Sequence, residues 1–205
     1  MNHPMTEPLL LPAFPRPLHW ETPPVDSTLA ADGALSMRAG PATDHFIDPR
    51  GEVNIGNAPR LLTLPDAHFL LSAHALGELT ATYDAAVLML YVNEHSWAKL
   101  CLELSPQGEP MIVSVVTNGA SDDCNSVVLS RADAWLRVAG FGDAFAFHYS
   151  LDGQTWHFVR YFTLHERAGV RAGFSVQSPT GEGCTVTYTG VRYQPVALAD
   201  LRSGV

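Results

Sequence analysis

Residues 83–123 constrain the fold of this chain most strongly, because they read as three successive β-strands joined by turns. The first strand, residues 85–91, is almost wholly apolar, and the third, residues 111–117, is rich in β-branched residues. In the second, residues 97–104, charged residues and a cysteine alternate with leucines. Such period-two alternation is typical of a strand with two different faces. The sequence therefore predicts a sheet whose middle strand buries leucines on one side and presents charged groups on the other.

Short β-type segments separated by turn residues continue along the rest of the chain. The predicted strands cover residues 34–38, 60–64, 68–76, 85–91, 97–104, 111–117, 126–129, 134–140, 144–150, 155–161, 169–177 and 184–193. These are too many for one flat sheet, so we predict an all-β fold of two stacked antiparallel sheets, a jelly-roll sandwich. The only helical turn expected is a short one at residues 196–201.

Three parts are predicted along the 205 residues, a length that suits one domain. Residues 1–24 contain seven prolines, which cannot donate to a regular ladder, and predict an extended strap pinned to the domain by Phe14 and Trp20. Residues 25–194 are expected to form the sandwich domain, and residues 195–205 a C-terminal tail.

Composition and charge restrict the classes of partner. Hydrophobic residues make up 46% of the chain, enough for a sizeable core, and the formal net charge is −9. The basic residues are scattered and form no run, so nucleic acid and anionic membrane surfaces are predicted not to be partners. The oligomeric state is left open by the sequence.

Three widely separated cysteines, Cys101, Cys124 and Cys184, do not suggest a disulfide framework or a zinc site. Cys101 and Cys184 fall in predicted strands and are expected to pack as small apolar groups. The N-terminal residues lack the basic start and long apolar core of a signal peptide, and no apolar run approaches the roughly twenty residues of a membrane span. We therefore predict a cytoplasmic protein.

Five segments carry a family signal: TDHFIDPRGEV, VLMLYVNEHSWAKLCLE, SVVTNGASDD, FHYSLDGQTWHFVR and GFSVQSPTGEGCTVTY. Together they resemble an uncharacterised family with a concanavalin A-like jelly-roll fold, the one that includes the fungal regulation-of-enolase proteins. The resemblance covers roughly residues 25–194 and implies the lectin/glucanase type of sandwich. One departure is that Asp123 and Cys124 follow Ser121-Asp122, where the family usually has an aromatic residue. Since related folds include both lectins and glycan hydrolases, the resemblance implies no single activity.

A ligand groove is predicted on the charged face of the middle strand. Its predicted lining residues are Tyr91, Trp97, Lys99, Glu103, Ser114 and His74. Lys99 and Glu103 lie about 13 Å apart along the strand, at about 3.3 Å per residue, so they are expected to bracket a site. Trp97 or Tyr91 would supply an apolar wall for a sugar ring. The competing interpretation pairs Lys99 and Glu103 with cross-strand charges such as Arg137 and gives them a structural role only.

The segment TDHFIDP is predicted to form a loop at the groove edge, with Phe46 for stacking and Asp44 for hydrogen bonds. Asp44, His45 and Asp48 are also metal-ligand types. Pro49, however, favours a turn in which Asp48 caps backbone amides, so no metal is predicted here.

A second loop is expected at residues 121–123, where Asp122 is a candidate ligand contact. Polar loops at the end of a sandwich often carry binding residues, although the same loop could simply be solvated. No phosphate-binding glycine loop or dinucleotide fingerprint occurs, and no cofactor is predicted.

The leading functional hypothesis is a module that binds a carbohydrate or a similar hydroxylated small molecule in the concave face of the sheet. Glycoside hydrolysis needs two carboxylates about 5–10 Å apart, and Glu103 has no second carboxylate at the expected strand spacing, so no catalytic residue is assigned. One alternative is a sugar-acting enzyme that uses Glu103, which predicts a raised pKa there and a carboxylate such as Asp44 or Asp122 reaching over it. Another is a regulatory protein-interaction module, which predicts a large exposed apolar patch and no deep cavity.

Overall fold

The computed structural model describes residues 7–205 and is all-β in that range. Its strands are β1 (His19–Thr22), β2 (Asp26–Leu29), β3 (Leu35–Arg38), β4 (His45–Ile47), β5 (Asn54–Gly56), β6 (Arg60–Thr63), β7 (His68–Glu78), β8 (Ala85–Asn93), β9 (Ser96–Leu104), β10 (Pro110–Asn118), β11 (Ser121–Val128), β12 (Asp133–Phe141), β13 (Phe145–Ser150), β14 (His157–Phe162), β15 (Arg171–Gln177) and β16 (Thr185–Gln194). Every predicted strand is present. Four short strands, β1, β2, β4 and β5, were not predicted.

Two seven-stranded antiparallel sheets stack to form the sandwich. The front sheet has the order β1-β6-β15-β8-β9-β10-β11, and the back sheet has the order β14-β13-β12-β7-β16-β3-β2. Strands β4 and β5 pair only with each other, as a separate hairpin. The predicted two-sheet sandwich is therefore confirmed. Residues 196–201 form no helix, so that prediction is wrong. No helix in residues 7–205 is long and apolar enough to cross a membrane.

The main core lies between the two sheets and follows the alternation of the sequence. Leu100 and Leu102 of β9 are buried in it, together with Phe69 and Leu71 from β7 of the back sheet. Because successive strand residues face opposite ways, the residues on either side of each leucine face outward from the front sheet. This places Lys99, Cys101 and Glu103 together on the outer face, as the sequence predicts.

Tyr188 joins the two sheets through a polar contact inside this core. It belongs to β16 of the back sheet and is fully buried, yet its hydroxyl accepts a hydrogen bond from the Val87 N–H at 2.6 Å. The same hydroxyl lies 2.6 Å from the carbonyl oxygen of Ser175, in the front sheet. A buried tyrosine hydroxyl needs such partners. These contacts fix the position of β16 relative to β8 and β15.

The proline-rich segment, described from residue 7, packs at the side of the sandwich. Leu9 and Leu18 exchange backbone hydrogen bonds at 2.8 and 2.9 Å, and Leu18 is fully buried in the core. The Phe14 ring lies 6.0 Å from that of Phe174 and 5.2 Å from that of Tyr193. The segment then continues into β1, which pairs with β6 at the edge of the front sheet. The segment is therefore anchored to the sandwich by Leu18 in the core, by the Phe14 ring and by the pairing of β1 with β6.

Candidate functional site

The outer face of the front sheet presents its side chains in rows across β8, β9, β10 and β11. Strand register places Tyr91, Trp97, Thr117 and Ser121 in one row, Met89, Lys99, Val115 and Asp123 in the next, Val87, Cys101, Val113 and Asn125 in the third, and Ala85, Glu103 and Met111 in the last. The charged and amide side chains of this face therefore lie in the last three rows, with Lys99 and Asp123 in the second, Asn125 in the third and Glu103 in the last.

The β4–β5 hairpin covers one end of this face. The Ile47 N–H donates to Ser121 Oγ at 2.9 Å, and the His45 ring packs 5.8 Å from the Trp97 ring. Ile47 and Trp97 are both buried in a second apolar cluster beneath the hairpin. The rows of Lys99 and Glu103 lie at the edge of this cover, where a cavity of about 230 Å³ remains.

This cavity has an aromatic rim, a valine floor and several polar groups. It is lined by Asp44, Phe46, Tyr83, Lys99, Glu103, Val113, Val115, Asp123, Asn125 and Gln177. Phe46 comes from the hairpin and Tyr83 from the turn before β8, so the two rings reach the cavity from different segments. Such a mixture of apolar surface and few polar groups is typical of small-molecule sites.

Lys99 connects several parts of the cavity wall through hydrogen bonds of its ammonium group. Its ammonium donates to Asp44 Oδ1 at 3.1 Å, to the His45 carbonyl oxygen at 2.7 Å and to Gln177 Oε1 at 2.9 Å. Burial alone would lower the pKa of Lys99, but the charge of Asp44, assisted by that of Glu103, leaves it raised. Since a lysine has three N–H donors, all three are occupied inside the protein.

Glu103 differs from Lys99 in having no partner. Its residue surface is 8% exposed, and no donor among residues 7–205 lies within hydrogen-bond distance of its carboxylate. Burial raises the pKa of Glu103 to about 7, because the opposing effect of Lys99 is countered by the Asp44 and Asp123 carboxylates. The pKa of Asp123 is also raised, by partial burial of its carboxylate and by the charges of Asp44 and Asp122, although the residue as a whole is exposed. No described residue donates to either carboxylate, although the Glu103 oxygens are not closed off from solvent and Asp123 is exposed.

Tyr83 is held at the rim in an uncommon backbone conformation, with φ at 70°. Its N–H donates to the Leu104 carbonyl at 2.8 Å, and its carbonyl accepts from Gln177 Nε2 at 3.1 Å. A left-handed conformation costs a bulky residue free energy and persists only when the surroundings enforce it. Gln177, by binding both Lys99 and Tyr83, links the rim aromatic to the buried ammonium.

Four of the predicted site residues, Asp44, Phe46, Lys99 and Glu103, line the cavity. Trp97 and Tyr91 lie on the same face of the front sheet but do not line the cavity. Trp97 is 2% exposed beneath His45, and two guanidinium groups lie close to the Tyr91 ring. Those groups belong to Arg60 and Arg171, at 4.4 and 5.3 Å from its centroid. The aromatic wall predicted from Trp97 or Tyr91 is supplied instead by Phe46 and Tyr83.

The placement of Ser114 and His74 differs from the prediction. Ser114 pairs with Leu100 and faces the main core. The prediction failed because β10 is apolar on both faces, so its sequence does not reveal which residues point outward. His74 lies on the outer face of the back sheet, where it contacts the Asp133 carboxylate and stacks on Trp135 at 5.0 Å. Neither side chain lines the cavity.

The segment at residues 121–123 is part of strand β11, not a loop. Asp122 therefore points away from the cavity and forms an exposed ion pair with Arg160 at 3.0 Å, whereas Asp123 lines the cavity. Arg137, the predicted cross-strand partner of Lys99, lies on β12 of the back sheet and donates to the Gly204 carbonyl at 2.8 Å. The ion-pair partner of Lys99 is Asp44.

The metal-ligand types in TDHFIDP have other roles. Asp48 Oδ2 accepts from the Glu52 N–H at 3.1 Å, which is the predicted capping turn. His45 Nε2 lies 3.1 Å from the Ala58 carbonyl, and burial together with Arg60 and Lys99 holds the pKa of His45 well below its usual range. Within residues 7–205, no three metal-ligating side chains are grouped so that they could hold an ion.

Replacing Lys99 by Met should destabilise the protein by about 3–5 kcal/mol, because removal of one member of a buried ion pair leaves the other uncompensated. Urea denaturation at neutral pH measures this loss. The double variant Lys99→Met/Asp44→Asn should recover part of it, since the two sites are coupled. A loss below about 1 kcal/mol would show that the ammonium contributes little to the fold.

Replacing Glu103 by Gln should change how stability depends on pH. Its folded pKa of about 7 lies above the ordinary value of 4.5, so the folded protein binds the extra proton and stability falls as pH rises between these values. Glu103→Gln removes this fall and should be more stable than the wild type at pH 8 by up to about 3 kcal/mol, with little difference at pH 4. Urea titrations at both pH values test this. An equal difference at the two pH values would contradict the raised pKa.

Comparison with known proteins agrees with the fold. Regulation of enolase protein 1 of Saccharomyces cerevisiae is 30% identical over 122 residues, which cover 59% of this chain and 61% of the yeast protein. A crystal structure of a functionally unknown protein from Saccharomyces cerevisiae superposes with a TM-score of 0.81 at 24% identity, over 89% of this chain and 97% of that one.

A mutant of the GH43 protein BlXynB from Bacillus licheniformis superposes with a TM-score of 0.70 at 16% identity. The match covers 94% of this chain but 38% of the GH43 chain, so it concerns the sandwich fold alone. Residues 20–196 match the family described as "Protein of unknown function (DUF1349)". The family resemblance predicted from five sequence segments is thereby confirmed, and the chain belongs to the DUF1349 family.

Proposed function

We propose that the cavity on the outer face of the front sheet binds a sugar or a similarly hydroxylated small molecule. The observation that carries this proposal is the pairing of two rim aromatics with unpartnered polar groups. Two aromatic residues, Phe46 and Tyr83, line the cavity, and Glu103, Asp123 and Asn125 line the same space. A sugar ring has one apolar face and several hydroxyl groups, so it can pack on an aromatic ring and hydrogen-bond at the same time.

The size of the cavity favours a small ligand. Its volume of about 230 Å³ lies below the range of about 300–1,000 Å³ that is usual for drug-sized ligands. The site therefore suits one sugar ring, or the terminal ring of a longer chain that extends outward past Tyr83, whose surface is 42% exposed.

The unpaired polar side chains of the cavity determine whether the ligand must supply hydrogen-bond donors or acceptors. Lys99 has no donor left, while Glu103 and Asp123 accept hydrogen bonds when ionised. A hydroxyl group can donate to them. The Asn125 amide adds one group that can both donate and accept. A ligand with several hydroxyls thus complements the cavity better than one that carries only acceptors.

Acid–base chemistry on such a ligand is the second candidate function. The observation that favours it is the pKa of Glu103, raised to about 7 by burial, with Asp44 reaching over the cavity from the segment before β4. A carboxyl group with a pKa near neutrality can donate and accept protons at working pH. A regulatory protein-interaction surface is less favoured, because the candidate site is a small recess with a mixed polar lining and not a broad apolar patch.

A thermal-shift screen against mono- and oligosaccharides tests the binding proposal. A ligand at about 100 times its dissociation constant should stabilise the protein by about 2.7 kcal/mol, and Tyr83→Ala should weaken this effect. Tyr161→Ala is the matched control, since Tyr161 is 49% exposed on the other sheet and does not line the cavity. If no sugar stabilises the wild type, or if both variants lose the effect equally, the proposed site is wrong.

Turnover of any sugar identified in that screen separates binding from catalysis. If Glu103 is an acid or base, the wild type should convert the sugar, and Glu103→Gln should lower kcat by about 10²–10⁴-fold. Chromatography of the incubated sugar measures both. Binding without conversion by the wild type would leave a binding module, and conversion by Glu103→Gln at the wild-type rate would remove the catalytic role.

A further inference from the structure

We propose that the ligand of this cavity carries a positively charged amino group, as in an amino sugar, and that Glu103 and Asp123 hold the ammonium. The inference deepens the proposed function and rests on it, because it uses the same cavity and adds a charge requirement to a hydroxylated ligand.

The first argument is the balance of charge. Three carboxylates, those of Asp44, Glu103 and Asp123, line the cavity together with one ammonium, that of Lys99. Lys99 is paired with Asp44 at 3.1 Å, and the cavity offers no second basic side chain. Among residues 7–205, no Lys, Arg or His nitrogen lies within ion-pair distance of the carboxylates of Glu103 or Asp123. The cavity therefore has two carboxylates available to a cation.

The second argument is the environment of Glu103. It is more than nine-tenths buried, it lines the cavity, and no described group donates a hydrogen bond to it. A buried carboxylate without a partner is costly, whereas a charge-assisted hydrogen bond from an N–H⁺ group is among the strongest available. An ammonium supplies both the missing donor and the missing charge. An anionic ligand would add a like charge beside two carboxylates and would be repelled.

The rim supports the same ligand class. Phe46 and Tyr83 contribute aromatic rings to a cavity that already attracts cations. The negative face of an aromatic ring attracts an ammonium group and also packs against the C–H face of a sugar. Both parts of an amino sugar can therefore contact the same two side chains.

Binding of a cation should be coupled to proton release. The charges that act on Glu103 are those of Lys99 on β9, Asp44 before β4 and Asp123 on β11; Cys101 lies on the same face of β9, and Tyr83 before β8 lines the same cavity. In the free protein the pKa of Glu103 is raised to about 7, and a bound ammonium would lower it. Below pH 7 the ligand must therefore displace a proton, so affinity should rise between pH 6 and pH 8 for an amine that stays protonated.

The test compares ligands that differ in charge at one position. Isothermal titration at pH 8 with 6-amino-6-deoxyglucose, glucose and glucuronate, and with 6-amino-6-deoxygalactose against galactose, gives the affinities for amines that stay protonated at this pH, and propylammonium supplies an amine without hydroxyls. We expect at least one amino sugar to bind about tenfold or more tightly than its neutral parent, and glucuronate to bind least. The wild-type comparison requires no variant to fold.

Each outcome of this series decides one of the two proposals. Equal or tighter binding of the neutral sugars overturns the charge inference and leaves the proposed function standing. If propylammonium binds as well as the amino sugars, the charge inference stands and the need for hydroxyls is wrong. If none of these probes binds, both proposals fail.

Two neighbouring residues of β11 provide a matched pair of variants. Asp123→Asn should reduce the preference for the amine by about tenfold, while Asp122→Asn should keep it, because Asp122 points away from the cavity toward Arg160. Glu103→Gln should lose both the preference and the pH dependence. Equal preference in Asp123→Asn and Asp122→Asn would overturn the assignment of the ammonium position.

Discussion

The buried ammonium of Lys99, the only lysine in the sequence, joins three parts of the chain that are distant in sequence. From β9 it binds Asp44 and the backbone of His45 at the start of the β4–β5 hairpin, and it also binds Gln177 at the end of β15. Gln177 in turn holds the Tyr83 carbonyl. The hairpin that covers Trp97 and the rim aromatic that borders the cavity are therefore positioned by one charge. A shorter or uncharged side chain at this position would release both.

Lys99 and Glu103 occupy the same face of the same strand, yet their environments differ in kind. The lysine has every donor occupied, whereas the carboxylate has no partner and retains a raised pKa. A fully satisfied buried charge rigidifies its surroundings, and an unsatisfied one costs stability. Lys99 therefore has a structural role, but its partner is Asp44 in the segment before β4 and not a cross-strand charge such as Arg137, whereas no described residue donates to Glu103.

Period-two alternation in β9 was sufficient to predict the sandwich core and the face shared by Lys99 and Glu103, since Leu100, Leu102 and Leu104 alternate with the polar residues. The same rule misplaced Ser114, because β10 is buried on both faces and its sequence shows no alternation to reveal the outward residues. Asp122 and Asp123 differ by one residue, and only the register of β11 decides which faces the cavity. Tyr83 and Gln177 carry no sequence signal, since their positions depend on a left-handed turn and a side-chain bond across strands. The cover over Trp97 and Tyr91 depends on two three-residue strands too short to predict.

The cavity and the stability of the fold are connected through Glu103. The neighbouring outward positions on β8 and β10, such as Ala85, Val87 and Val113, are apolar and well buried, so an apolar or amide side chain at position 103 would fit the same surroundings without a buried charge. The carboxylate instead makes the free protein less stable above pH 7. A ligand that supplies a donor or a positive charge removes this cost, and the free energy released adds to its affinity. Strain and unsatisfied charge collected at one cavity, beside a wall held rigidly by Lys99, are the features expected of a site preorganised for a ligand.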